Sequence, residues 1–132
     1  MSLEDDLSGI VKSKQETLEE AWTKKRKVVR SRFARTANRL NDEDDAFGSW
    51  SVGRVNGSIA LRVRNGKVYT LLFSKDESAR QVICEATVSR PDSSSVDDPF
   101  EGYKGESFDI DKLTESEVDR KITEFIATFS GR

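Results

Sequence analysis

The chain has 132 residues, a formal net charge of −2, one cysteine and no histidine. That length is enough for a single domain with its own core, and the lone Cys84 excludes an internal disulfide and fits a reducing compartment. Hydrophobic and charged residues each make up 35%, and the charge is segregated: residues 46–90 hold seven bases and three acids, residues 91–132 five bases and eleven acids.

Residues 1–12 place Leu3, Leu7, Ile10 and Val11 at helical spacing around Ser8-Gly9. With Glu4, Asp5 and Asp6 they lack the basic and apolar regions of a signal peptide, and no apolar run nears the ~20 residues that span a bilayer. An intracellular, cytoplasmic setting without a membrane partner is expected.

From Ser13 to Leu40 there is neither glycine nor proline. Ser13 and Glu16 have the spacing of a capping box, and Leu18, Trp22, Val29, Phe33, Thr36 and Leu40 fall within about 60° of one another at 100° per residue. The spacing predicts one helix stopping at Asn41, roughly 42 Å long and longer than a small domain is wide. Trp22, Val29 and Phe33 are therefore candidates for partner binding, and a homodimer is expected.

The same helix carries Lys24, Lys25, Arg26, Lys27, Arg30, Arg32, Arg35 and Arg39 with no acid among them. Pairs such as Arg26/Arg30 and Arg35/Arg39 repel at helical spacing, by a few tenths of a kcal/mol each. Clustered cations of this kind neutralise phosphates and release counterions, so these eight residues are the leading candidates for binding nucleic acid or an acidic protein surface. Lys24-Lys25-Arg26-Lys27-Val28 also has the pattern of a nuclear import signal, a short motif that recurs by chance. The competing explanation is internal, with the acidic residues 91–132 covering the run.

Asp42-Glu43-Asp44-Asp45 closes the N-terminal charged helical segment, residues 1–45, and residues 46–132 read as an α+β core within one domain. Asn56-Gly57 and Asn65-Gly66 predict two-residue hairpin turns that set Val55 opposite Ser58 and Arg64 opposite Lys67. This register gathers Trp50, Val52, Ile59, Leu61, Val63, Val68, Thr70 and Leu72 on a core face. The other face receives Ala60, Arg62, Arg64, Lys67, Tyr69, Leu71 and Phe73. Arg62, Arg64, Lys67 and Tyr69 thus form a second candidate surface, able to neutralise and stack a single strand; arginine stems lying over a half-buried sheet explain the same pattern.

Residues 81–88 alternate as a fourth strand with Val82, Cys84, Ala86 and Val88 inward, and residues 91–105 read as a loop. Thr114 and Glu117 repeat the capping-box spacing before Val118, Ile122, Phe125, Ile126 and Phe129. The predicted fold is α+β: a long N-terminal helix, an antiparallel four-stranded β-meander and a C-terminal amphipathic helix on its Trp50 face.

The catalytic inventory is thin. There is no glycine-rich phosphate loop, and neither the acids of residues 42–45 nor Asp109/Asp111 has calcium-loop spacing. No metal or cofactor is expected, and Cys84 reads as a core residue without a histidine to activate it. The favoured reading is a non-catalytic binding or regulatory module whose basic helix engages an anionic partner, nucleic acid foremost. The alternatives are a protein–protein adaptor or chaperone-like dimer that uses the apolar stripe, and an enzyme with a carboxylate- or lysine-based site.

Overall fold

The computed structural model describes residues 17–43, 48–55, 57–76, 79–89 and 98–130. Their order is α1 (Leu18–Asn41), β1 (Ser49–Val55), β2 (Ser58–Asn65), β3 (Lys67–Asp76), β4 (Gln81–Ser89), β5 (Asp98–Pro99), β6 (Glu106–Asp109), a 3₁₀ turn (Ile110–Lys112) and α2 (Glu115–Ser130). This is the α+β arrangement the pattern predicts, with the meander extended by β5 and β6.

Helix α1 starts at Leu18 because Thr17 is extended and its hydroxyl accepts the Glu20 N–H at 3.1 Å, which satisfies a first-turn donor. The Ser13/Glu16 box and residues 1–12 lie outside the described residues. With 24 residues the helix is about 36 Å long. Trp22, Val29 and Phe33 are buried, at 3%, 0% and 0% exposure, in one core with the sheet and α2. The stripe expected to face a second copy is therefore taken up inside the protomer.

Asn41 is the last helical residue, as predicted, but the next residue keeps a right-handed conformation. Its amide clasps β1 instead. Nδ2 donates to the Trp50 carbonyl at 2.9 Å, and the Trp50 N–H donates to Oδ1 at 2.8 Å. At the other end of α1, Trp22 Nε1 donates to the Gly57 carbonyl at 3.1 Å. These two clamps lay α1 antiparallel along β1.

Strands β1 to β4 pair antiparallel in sequence order, and β5 and β6 both pair with β4. α2 is capped by Thr114, whose hydroxyl accepts the Glu117 N–H at 3.4 Å, and it packs on the same sheet face as α1. Phe125 and Phe129 lie 6.2 and 6.3 Å from the Trp50 ring. Among the described residues no helix is long and apolar enough to cross a membrane.

The first hairpin has the predicted register, Val55 opposite Ser58. The second does not: Arg64 faces Val68 and Asn65 faces Lys67, one residue away from a two-residue turn. Because side chains alternate, this slip turns all of β3 over. Tyr69, Leu71 and Phe73 join Val63, Leu61 and Ile59 on the core face, and Val68, Thr70 and Leu72 move to the other. Burying Leu71 and Phe73 gains roughly 2 kcal/mol each, more than turn preference offers, and Phe73 meets Phe33 edge-on at 5.6 Å. On this basis Phe73→Ala lowers unfolding free energy by about 3–5 kcal/mol and Leu72→Ala by about 1 kcal/mol. Urea titrations check the contrast, and equal or reversed losses support the two-residue turn.

Candidate anion-binding surface

The eight cations of α1 do not form one patch. Lys25 Nζ donates to the Leu113 carbonyl at 2.8 Å, where the chain enters α2. Arg32 grips Asp119 with two hydrogen bonds of 2.8 and 2.5 Å, with Glu115 at 3.7 Å. The bond to Asp119 pushes the Arg32 guanidinium further above its ordinary pKa. Lys24 is exposed and has a partner of its own. Among the described residues, Arg26, Lys27, Arg30, Arg35 and Arg39 have no acidic partner; Arg26 is half-buried and the other four are exposed.

Around the axis these five divide. At 100° per residue, Lys27, Arg35 and Arg39, together with Lys24, occupy about 120° on the side opposite Phe33, and Arg26 and Arg30 sit toward the β1 edge. Between α1 and α2 lies a cleft of about 450 Å³ whose walls include Arg32, Arg35 and Arg39 on one side and Asp119, Ile122 and Ile126 on the other. Three guanidinium groups against one carboxylate leave this cleft net positive.

The second predicted surface comes apart. The register slip places Lys67 and Tyr69 on the opposite side of the sheet from Arg62 and Arg64. Tyr69 packs on Phe129 at 4.4 Å and Phe100 at 5.1 Å between ring centres, so it offers no stacking platform beside Arg62. Arg62 lies over Gly53, where an added Cβ would come within 2.6 Å of its guanidinium. That is an arginine packed along a sheet, the alternative the pattern allowed.

A buried charge cluster escapes the sequence reading. Lys121 is 2% exposed, and its ammonium donates to the Lys104 carbonyl at 3.1 Å and meets Glu106 at 3.3 Å and Glu124 at 2.6 Å. It also lies 5.0 Å from the centre of the Tyr103 ring, beside a cavity of about 540 Å³. Arg120 adds bonds to Glu106, Glu117 and Glu124. The visible signal was a lysine one turn after Val118 on an otherwise apolar stripe. Nearby, the Cys84 sulfur is 3.3 Å from the Tyr103 hydroxyl, and burial pushes its thiol up to about 12. Burial and the neighbouring thiol likewise raise the Tyr103 phenol. A thiol held up by burial is not an activated nucleophile. Among the described residues no three His, Cys, Asp or Glu side chains are grouped to hold a metal ion.

The chain matches no family model, no curated protein and no solved structure.

The bond from Arg120, followed by that from Lys121, holds the Glu106 carboxyl below the ordinary carboxylate range, against the opposing effect of burial. The stability it contributes is full above the unfolded value of about 4.3 and is lost as pH falls through the lower folded value. Thermal melting between neutral pH and pH ~3 should therefore show a smaller acid loss in Glu106→Gln than in the parent. Parallel curves would show that the cluster contributes no pH-dependent stability.

Proposed function

We propose that the protein is a non-catalytic binding module that engages a polyanion, nucleic acid foremost, along the outward side of α1. The observation that carries this reading is that Lys27, Arg35 and Arg39 are exposed on one side of a rigidly anchored helix and have no acidic partner among the described residues. With Lys24 they extend about 22 Å along the axis, a length that runs past several phosphates of a nucleic acid strand. An intracellular setting, cytoplasmic or nuclear, accords with the free Cys84 and with the Lys24–Val28 pattern. The adaptor and homodimer readings rested on Trp22, Val29 and Phe33, whose burial in the protomer leaves no observation favouring them.

The test is a salt titration of binding to single-stranded RNA and to duplex DNA. A plot of log affinity against log salt is expected to slope at about −3 to −4, each contacted phosphate adding about 0.7–0.9. Lys27→Ala, Arg35→Ala and Arg39→Ala together reduce the slope by about 2–3 without changing the melting temperature, because none of the three pairs with an acid among the described residues. The reading fails if affinity is absent at low salt or if the triple variant binds like the parent.

A further inference from the structure

β1 forms one edge of the sheet, and its hydrogen bonds reveal which backbone groups face outward. The Trp50 N–H and C=O both turn to the Asn41 amide, so Trp50 points away from β2 in the ladder. The unbroken register from Ser49 to Val55 carries the same orientation to Val52 and Arg54, two and four residues on. Their N–H and C=O groups point off the sheet and have no backbone partner among the described residues. Sheets commonly blunt such an edge with a proline, a bulge or a covering segment. β1 contains no proline and its register no bulge, and Asn41 occupies only the Trp50 position.

The same amide identifies the side of α1 that overhangs this edge. Around the helix Arg30 lies about 20° from Asn41 and Arg26 about 60°. Arg54 is exposed and shares the helix-bearing face of β1 with Trp50 and Val52. Because α1 runs antiparallel to β1 from Asn41–Trp50 to Trp22–Gly57, Arg54 comes level with the stretch that holds Arg30 and Arg26. None of the three arginines has an acidic partner among the described residues.

A strand edge without a partner among the described residues, beneath three guanidinium groups that likewise have no acidic partner among them, matches an extended peptide with acidic residues at alternate positions. Its backbone would add as a further strand, and every second side chain, turned to the helix side, would bring a carboxylate to an arginine. A nucleic acid could satisfy the guanidinium groups, but it has no backbone that complements the strand ladder. We propose that the β1 edge, with Arg26, Arg30 and Arg54, is a docking site for an acidic extended peptide.

The experiment follows amide chemical shifts and hydrogen exchange of the full chain as an alternating Glu-Val nonapeptide is added, with an alternating Lys-Val peptide and oligo(dT) in parallel. The expected result is slowed exchange at Val52 and Arg54 and none at Ser51 and Gly53, whose groups already bond β2. Val52→Pro, which removes an outward N–H and leaves the β2 ladder intact, weakens the Glu-Val peptide by about tenfold or more. Arg30→Glu with Arg54→Glu does the same through charge, and carries the test alone if the proline variant does not fold. Arg35→Ala with Arg39→Ala leaves peptide affinity unchanged. The proposal is overturned by absent binding, by binding without protection of those two amides, by equal affinity for the Lys-Val peptide, or by oligo(dT) protecting the same amides. The polyanion reading depends on the oligonucleotide titration and on Lys27, Arg35 and Arg39, so either can fail alone.

Discussion

Everything on this surface depends on how α1 is clamped to the sheet. A helix held only by its apolar stripe can slide or roll by a fraction of a turn at little cost. Here the Asn41 amide bonds both backbone groups of Trp50, and the Trp22 indole bonds the Gly57 carbonyl at the far end. Two polar anchors about 28 Å apart along the axis fix the rotation of the helix as well as its position. Trp50 also packs against Phe125 and Phe129, so one residue references both helices to the same strand. Each cation of α1 then has a defined direction.

That direction decides which charges the fold uses. Lys25 and Arg32 face α2 and join the two helices, and Lys75 reaches Glu19 near the helix start. Part of the acidic C-terminal third is taken up elsewhere: Glu106, Glu117 and Glu124 bond Arg120, Glu106 and Glu124 bond Lys121, and Asp111 pairs with Arg80. From this third, Asp119 and Glu115 reach the basic run, both at Arg32. An acidic segment was available in sequence to cover the helix, but Glu106, Glu117, Glu124 and Asp111 are committed to other bases. The residual repulsion along α1 is on the order of 1 kcal/mol, small beside the core that anchors the helix, and so the helix tolerates it.

Much of this was legible from local pattern. The alternation of Val82, Cys84 and Ala86, the Thr114 cap and the β1–β2 register all appear where local chemistry puts them, because local and tertiary preferences agree there. At Asn65-Gly66 they disagree. A two-residue turn would have exposed Leu71 and Phe73, both fully buried in the structure, and turn chemistry cannot offset that loss. The same slip removed Tyr69 from the predicted nucleic-acid surface. Lys121 was only partly legible for a related reason: Glu124 lies one turn on, but its other acceptors come from β6 and from the carbonyl of Lys104, which no helical period reveals. The division of the basic run was also hidden, since Asn41 had been read as a stop and not as a clamp.

The division has a physical consequence for recognition. The outward cations offer charge and little else; an anion there keeps most of its hydration, and the attraction is screened by salt over about 10 Å. At the β1 edge the arginines stand beside directional backbone donors and acceptors, so recognition there is constrained by register and strand polarity as well as by charge. A count of eight like charges in sixteen residues therefore overstates the unity of the feature. The helix presents two kinds of electropositive surface, and what separates them is the rotation imposed by its Asn41 and Trp22 anchors.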